Sequence, residues 1–305
     1  MEKLYFGGII IEKIWLNKNF IVMLACKWTT YLFSFLGFIG TFVSLNEIVP
    51  ESWSFLRRLL LSFSILVVSW MILLIICASL FIKQKRLPIF KVNNNCHVYV
   101  QYGDVFSEDE VNNPNERRNI VIPVNRCFDT IVDNDLVSEK SLHGITLKKM
   151  YAHGIYNENT LNKTLLDDLM NRQKLKVDIL TRAEKRKGNL YRFELGTIAE
   201  IYESDTCTFL FLALSTFNSN LIACTKQEDY VIAIQRLIEY CSERSQGYPI
   251  VMPLIGARLS KTKNDERSML EFIVKLLKMN KNIINSDVHI VVRNNGQETV
   301  SITEL

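Results

Sequence analysis

The chain has 305 residues, 48% hydrophobic and 22% charged, with mean hydropathy +0.09 and formal net charge +4. Such a hydropathy is high for a wholly soluble protein and low for a polytopic transporter, which points to a small membrane part joined to a soluble domain. The composition excludes a disordered chain and a disulfide scaffold, and 36 Lys+Arg set against 32 Asp+Glu give no basic stripe of the kind that binds nucleic acid.

Residues 1–19 read as a cytoplasmic segment preceding a membrane region over 20–86. Trp28 to Leu45 carries no charge, and the apolar run reaches back to Phe20, so a first helix is predicted over about 20–45. Lys27 lies inside it and must snorkel toward a headgroup, beside Trp28 and Tyr31, which suit an interfacial belt. The alternative for this span is an amphipathic or re-entrant helix. A short loop with Pro50 and Trp53 leads to a second span, Leu59 to Ile82, uncharged throughout. At about 1.5 Å per residue it exceeds the roughly 30 Å hydrocarbon core. Two spans and a short loop make a hairpin with both chain ends on one side. Lys3, Lys13 and Lys18 precede it, Lys83, Lys85, Arg86 and Lys91 follow it, and only Arg57 and Arg58 lie in the loop. The positive-inside rule therefore places both termini in the cytoplasm, at the cell inner membrane or plasma membrane. The seven cysteines form no C-x-x-C pair, so neither disulfides nor a zinc site is expected.

Residues 87–305 form one soluble domain in this reading. His97–Tyr102 alternates and predicts a strand; Ser107–Arg118 is a polar loop; Asn119–Val124 is a buried strand. Asn159–Gln173 predicts a helix with Leu161, Leu165, Leu166 and Leu169 on one face. Leu190–Leu195, Thr197–Tyr202 and the very apolar Thr208–Thr216 are strands. Asp229–Arg244 is an amphipathic helix with Val231, Ile234, Leu237, Ile238 and Cys241 facing inward. Tyr248–Leu254 is a strand, Asp265–Met279 a helix facing inward through Met269, Ile273, Leu276 and Leu277, and Asp287–Val292 a final strand. Apolar strands alternating with helices imply an α/β fold, a central sheet covered on both faces.

Ligands of such sheets sit beyond the carboxyl ends of the strands. Three segments stand there. Gly103-Asp104-Val105-Phe106 follows the first strand, and Asn125 through Asp129 and Thr130 follow the second, with Ser141-Leu142-His143-Gly144 further on. Ile255-Gly256-Ala257-Arg258-Leu259-Ser260 follows the Tyr248–Leu254 strand. Glycine before a turn lets backbone N–H groups approach a ligand, Asp can accept from an exocyclic amine, Asn can bridge ribose hydroxyls, and an exposed Gly-x-Arg loop can hold phosphate. Each feature alone is as well explained by an ordinary turn or helix cap.

Taken in order, these segments resemble a macro domain, which binds ADP-ribose. Two N-terminal spans joined to GDVF, IPVNRCFDT, SLHG and MPLIGARLS resemble the transmembrane macro-domain effectors of Thoeris type II anti-phage defence systems, over about residues 20 to 295. The resemblance implies a macro-domain-like sheet in which Gly103, Asp104 and Val105 receive the adenine and Asn125 contacts the distal ribose, with Phe128 and Asp129 in the turn that follows. Ser141, Leu142, His143 and Gly144, together with Ile255, Gly256, Ala257, Arg258 and Leu259, would cradle the diphosphate. It further implies a partner TIR-domain enzyme that makes an ADP-ribose derivative carrying histidine, a homo-oligomer that assembles when this signal binds, and membrane damage that kills the infected cell. No other cofactor, metal or nucleic acid is implied. The sequence departs from the usual macro pattern. The glycine run after the Asn is absent, and Ala257-Arg258 stands where a second glycine is typical.

A sensor without catalysis accounts for the missing G-x-S-x-G, H-E-x-x-H, Walker A and G-x-G-x-x-G motifs. The alternative is a membrane-anchored ADP-ribosyl hydrolase working through Asp104, Asn125, Asp129 and His143. A third reading is a scaffold whose domain binds no nucleotide.

Overall fold

The computed structural model describes residues 11–42, 52–171, 175–255, 264–293 and 300–303. They fall into two compact units. One contains the described residues up to Lys85 together with 300–303; the other runs from Arg86 to 293.

The first unit is built on two helices, α1 (Lys18–Gly40) and α2 (Phe55–Lys83), both long and apolar enough to cross a membrane. They pack antiparallel: Phe20 meets Phe81 at 6.2 Å, and the Trp70 indole N–H donates to the Cys26 sulfur at 3.3 Å. Small side chains line the seam, with Ala25 and Thr29 of α1 and Cys77 of α2 buried. Almost all the large apolar side chains point outward, which is what lipid-facing helices do and a soluble core helix does not. Helix α1 ends at Gly40, five residues before the predicted end, where Thr41 Oγ1 donates to the Phe38 carbonyl; the stretch 43–51 lies outside the described residues. Helix α2 starts at Phe55 and takes Arg57 and Arg58 into its first turn. Lys27 lies 5.8 Å over the Tyr31 ring, one helical turn on.

Residues 300–303 belong with this unit rather than with the second, and they are bonded to one side chain in it. Asn17, fully buried at the start of α1, accepts hydrogen bonds from Ser301 Oγ (3.0 Å), Ile302 N (3.2 Å) and Thr303 Oγ1 (3.0 Å). Its own amide donates to the Lys13 carbonyl at 2.8 Å.

The second unit is an α/β sheet in the order β1-β2-β10-β9-β3-β7-β6: β1 (Arg86–Lys91), β2 (His97–Tyr102), β3 (Arg118–Asn125), β6 (Ile198–Ser204), β7 (Cys207–Phe217), β9 (Ile250–Pro253) and β10 (Val288–Val292). Between β3 and β6 lies a small hairpin, β4 (Val177–Ile179) with β5 (Tyr191–Phe193); β8 (Ala223–Cys224) pairs β7. The five central strands run parallel, and β1 and β6 close the edges antiparallel. β10 is buried at all five positions and β3 at all but one, as expected of strands covered on both faces. On one face α3 (Leu142–Ala152) and α4 (Glu158–Asn171) bring Leu147, Met150, Leu161, Leu165 and Leu169 onto Phe209 and Phe211. The other helices are α5 (Gln227–Arg244) and α6 (Asn264–Met279).

Four differences from the sequence reading stand out. β1 is a strand although it contains Pro88; it is an edge strand with a register shift beside the proline, where a missing N–H is tolerated. Helix α3 forms over a stretch for which no element was predicted. Val231 is 38% exposed, because the inward stripe of α5 is Tyr230, Ala233, Ile234, Leu237, Ile238 and Cys241, and the residue after Tyr230 is turned about 100° away. In α6 the buried positions are Leu270, Ile273, Val274 and Leu277, with Met269 and Leu276 half-buried.

Candidate functional site

Because β2, β10, β9, β3 and β7 are parallel, their carboxyl ends emerge along one edge of the sheet. After β3 the chain moves outward to β7; after β9 it moves the other way to β10. The adjacent β3 and β9 therefore flank the topological switch point, where open α/β sheets place ligands. Asn125 ends β3, and Leu254 and Ile255 follow β9. Gly103 and Asp104 follow β2 on the same edge.

The Gly103-Asp104 turn is held from two sides. Gly103 N donates to the Val292 carbonyl at the end of β10 (3.1 Å), and Asp104 N to Glu110 Oε1 (3.3 Å). Glu110 is 2% exposed, and its carboxylate also receives the Gln101 amide. A Cβ on Gly103 would stand 2.2 Å from Glu110 Oε1, so the close approach requires glycine unless that carboxylate moves. Arg86, the first residue of β1, grips the same loop: its guanidinium donates to the Asp109 carbonyl (2.6 Å), the Val111 carbonyl and Asn112 Oδ1 (2.8 Å). Asp104 remains exposed, with Oδ1 accepting from Phe106 N at 3.1 Å, and Val105 is buried beneath it.

At the end of β3, a register shift between Val124 and Asn125 re-aims the chain. Asn125 is buried and its Oδ1 caps the turn, accepting from Cys127 N at 3.0 Å. Phe128 adopts φ +51°, a left-handed conformation strained for a non-glycine residue. Its ring is fully buried, edge-to-face on Phe193 at 5.6 Å, so it serves the core. Asp129 is 1% exposed and paired with the fully buried Lys185 at 2.6 Å; its other oxygen accepts from Asn189 N at 2.7 Å. Burial pushes the Asp129 carboxyl up while Lys185 opposes the rise. This pair fastens the segment leading to β5 onto the turn after β3.

Ser141 is the N-cap of α3, accepting from Gly144 N at 3.0 Å, and Leu142 begins the helix half-buried. His143 points into the core, 5.7 Å from the Phe211 ring, and burial lowers its pKa to about 3. Gly144 packs where a Cβ would stand 2.2 Å from the Ser138 carbonyl oxygen. Ile255 is buried; Gly256, Ala257, Arg258 and Leu259 lie outside the described residues.

Beside Asn125 is a shallow depression of about 200 Å³, open solvent at its mouth included, lined by Arg126, Lys185, Arg192, Ser215, Thr216 and Phe217 among others. Burial and then the neighbouring Arg192 lower the pKa of Arg126, while Asp178, itself paired with Arg192 at 3.0 Å, opposes the fall, and Arg126 Nε donates to the Phe193 carbonyl at 2.8 Å. A larger hollow of about 380 Å³ between α5, α6 and the sheet is lined by apolar groups such as Leu237, Met252 and Val288, away from the strand ends. Sequence reasoning did not single out Glu110, Arg86, Lys185 or Asn189. Each is a polar residue whose partner is distant along the chain or set by a loop's path, and no local pattern marks it.

A family model described as "Thoeris protein ThsA, Macro domain" matches residues 98–293, well over half of the chain and beginning after the two apolar helices. The Thoeris protein ThsA of Bacillus amyloliquefaciens (strain Y2) is 24% identical over 180 residues, 59% of this chain and 55% of that protein. The chain thus matches only about half the length of this relative. A crystal structure of a Bacteroides thetaiotaomicron protein aligns over 63% of this chain and 97% of its own, at 10% identity and a TM-score of 0.36. With its parallel sheet, its switch point between β3 and β9 and the span of the family match, the chain belongs to the ThsA macro-domain family of Thoeris proteins.

Proposed function

We propose that the chain is a membrane-anchored effector of Thoeris anti-phage defence whose macro domain senses an ADP-ribose derivative. The signal is histidine-ADP-ribose released by a partner TIR-domain enzyme. Its binding drives copies of the chain to assemble and disrupt the membrane. The observation that carries this reading is the placing along one sheet edge of the exposed Asp104 carboxylate, Asn125 beside the switch point, and the Arg126 and Arg192 guanidinium groups that line the depression next to it. An acceptor for an exocyclic amine and a cationic patch suit the two ends of a nucleoside diphosphate. The apolar outer faces of α1 and α2 support a membrane anchor. The bonds from Ser301 and Thr303 to Asn17 support a topology with both described chain ends on one side of that membrane, and the charge bias supports the cytoplasmic side.

Sensing is favoured over hydrolysis because two of the four candidate catalytic groups are committed elsewhere. Asp129 is locked to Lys185, and His143 faces Phe211 with its pKa near 3. Neither is placed to exchange protons with a substrate at neutral pH. The test is calorimetry of the full chain in lipid nanodiscs against ADP-ribose and its histidine conjugate, with recovery of the ligand afterwards. The expected result is saturable binding, intact ligand, and roughly tenfold weaker affinity in Asp104→Ala, the scale of one charge-assisted hydrogen bond. Turnover of the ligand would establish the hydrolase, and absence of binding to either compound would leave the scaffold.

A further inference from the structure

Beneath the Gly103-Asp104 turn, three buried polar side chains are joined in a chain of hydrogen bonds. Glu110, Gln101 and His289 are 2%, 0% and 0% exposed. The Gln101 amide nitrogen donates to the Glu110 main-chain carbonyl at 2.9 Å and to the carboxylate oxygen Oε2. A carbonyl and a carboxylate only accept, so the amide nitrogen must face Glu110 and the amide oxygen must face His289. His289 Nδ1, 3.1 Å from Gln101 Oε1, therefore carries the proton and donates. His289 lies on the interior strand β10 and is stacked on Tyr99 of β2 at 4.9 Å, which fixes its ring. Both donors in the chain are thus directed toward Glu110.

At its other end Glu110 reaches the turn itself. Oε1 accepts from Asp104 N at 3.3 Å, and the carboxylate occupies the space of a Gly103 side chain, with Oε1 2.2 Å and Oε2 2.7 Å from an ideal Cβ there. Arg86 fixes the main chain on either side of Glu110 by donating to the Asp109 and Val111 carbonyls. Two main-chain bonds already close the turn, Gly103 N to the Val292 carbonyl at 3.1 Å and Ser107 N to the Asp104 carbonyl at 2.9 Å. A dry carboxylate is costly to add where a turn is already closed. What Glu110 adds is the setting of Asp104. That residue is tied through its N–H to Glu110 and through Oδ1 to Phe106 N at 3.1 Å, while Oδ2 has no partner among the described residues. One carboxylate oxygen is left for a ligand, and its direction is set by the two ties.

We propose that Glu110 is a positioning residue for base recognition: by holding the Asp104 main chain it aims the free Oδ2 at the exocyclic amine of adenine, and the site rejects hypoxanthine. The proposal rests on the sensor reading above and adds to it a base specificity and the buried group that maintains it. Hypoxanthine carries a carbonyl where adenine carries the amine. That carbonyl would face Oδ2 with no proton between them, and a site built to receive a donor discriminates strongly against a second acceptor.

The test is calorimetry of the full chain in lipid nanodiscs against ADP-ribose and its hypoxanthine counterpart, inosine diphosphate ribose, with urea unfolding of each variant alongside. The parent is expected to prefer ADP-ribose about tenfold or more, the scale of one charge-assisted hydrogen bond. Glu110→Gln sets a second amide against that of Gln101 and is expected to reduce the preference to within about threefold. Gln101→Met removes the support of Oε2 and is expected to give an intermediate preference, so the proposal stays testable if Glu110→Gln does not fold. The double variant Gln101→Glu/Glu110→Gln exchanges the two groups. Its new amide donates to its new carboxylate, which still accepts from His289, and the new amide oxygen still accepts from Asp104 N. The preference is expected to return in this exchange. A preference unchanged in both single variants while stability falls makes the chain purely structural and overturns the proposal, as does a preference that stays lost in the exchange. A parent that binds both compounds equally overturns it and leaves the sensor reading standing, whereas a parent that binds neither overturns both.

Discussion

Lys185→Met tests how the turn after β3 is held. The Lys185 and Asp129 side chains are 0% and 1% exposed, Nζ lies 2.6 Å from the carboxylate, and a second bond runs from Nζ to the Asn189 carbonyl at 2.7 Å. Methionine keeps an unbranched side chain as far as Cε and removes the ammonium. The carboxylate then keeps one strong donor, Asn189 N, in a dry site. Breaking a buried pair on one side costs about 3–5 kcal/mol. That is a large share of the roughly 5–15 kcal/mol that holds a domain together. The double variant Asp129→Leu/Lys185→Met removes both charges and leaves only the Asn189 backbone N–H and carbonyl short of partners. Its expected cost is about 1–3 kcal/mol, less than that of the single change. Urea unfolding of the full chain in detergent, followed by far-ultraviolet circular dichroism, measures both. Tryptophan fluorescence is unsuitable, because Trp15, Trp28, Trp53 and Trp70 all precede Arg86. A single variant within about 1 kcal/mol of the parent, or a double variant costlier than the single, would refute the view that the pair is a closed, mutually dependent clamp.

Acid should destabilise the soluble domain through two histidines. Burial holds His143 and His289 down at about 3, so both are neutral in the fold, whereas the unfolded chain takes up protons near the ordinary pKa of about 6.5. The stabilising contribution is complete above that ordinary value and declines as pH falls from it toward 3, at up to about 1.4 kcal/mol per pH unit per histidine. His143→Phe should halve the slope between about pH 6.5 and 5 in unfolding curves, and an unaltered slope would contradict the assignment. Gly144→Ala sets a Cβ 2.2 Å from the Ser138 carbonyl oxygen and 2.9 Å from its carbon. Backbone cannot swing aside as a side chain does, so a loss of about 1–3 kcal/mol is expected in the same urea titration, and a neutral result would mean that the first turn of α3 is looser than described.

The buried strands were legible because burial on both faces demands near-continuous apolar runs, as in Ile120–Val124 and Thr208–Leu214. The helices α4, α5 and α6 were legible from their apolar stripes. Helix α3 was not: it buries Gly144, Thr146 and His143 alongside Leu147 and Met150, so no apolar period marks it. Edge strand β1 was hidden by Pro88 and by the basic residues at its ends. Asp104 and Asn125 could be picked out as candidate site residues because a glycine turn and a polar residue at the end of an apolar strand leave a local trace. Phe128 and His143 show the limit of that trace. A turn sequence does not say which of its side chains point inward, and both of these do. Glu110 and Lys185 lie beyond the limit altogether, because Lys185 meets Asp129 across 56 residues and Glu110 lies in a run of acidic loop residues that look alike.

The attachment of residues 300–303 to Asn17 has a practical bearing on any soluble version of the domain. A fragment starting at Arg86 and kept to residue 305 would carry Val300 and Ile302 away from the surface that shields them, leaving two apolar side chains exposed to water. Such a preparation invites clumping that owes nothing to any ligand. Ending the fragment near Arg293 avoids the artefact, and comparing the two lengths by light scattering would show how much self-association comes from the severed tail alone.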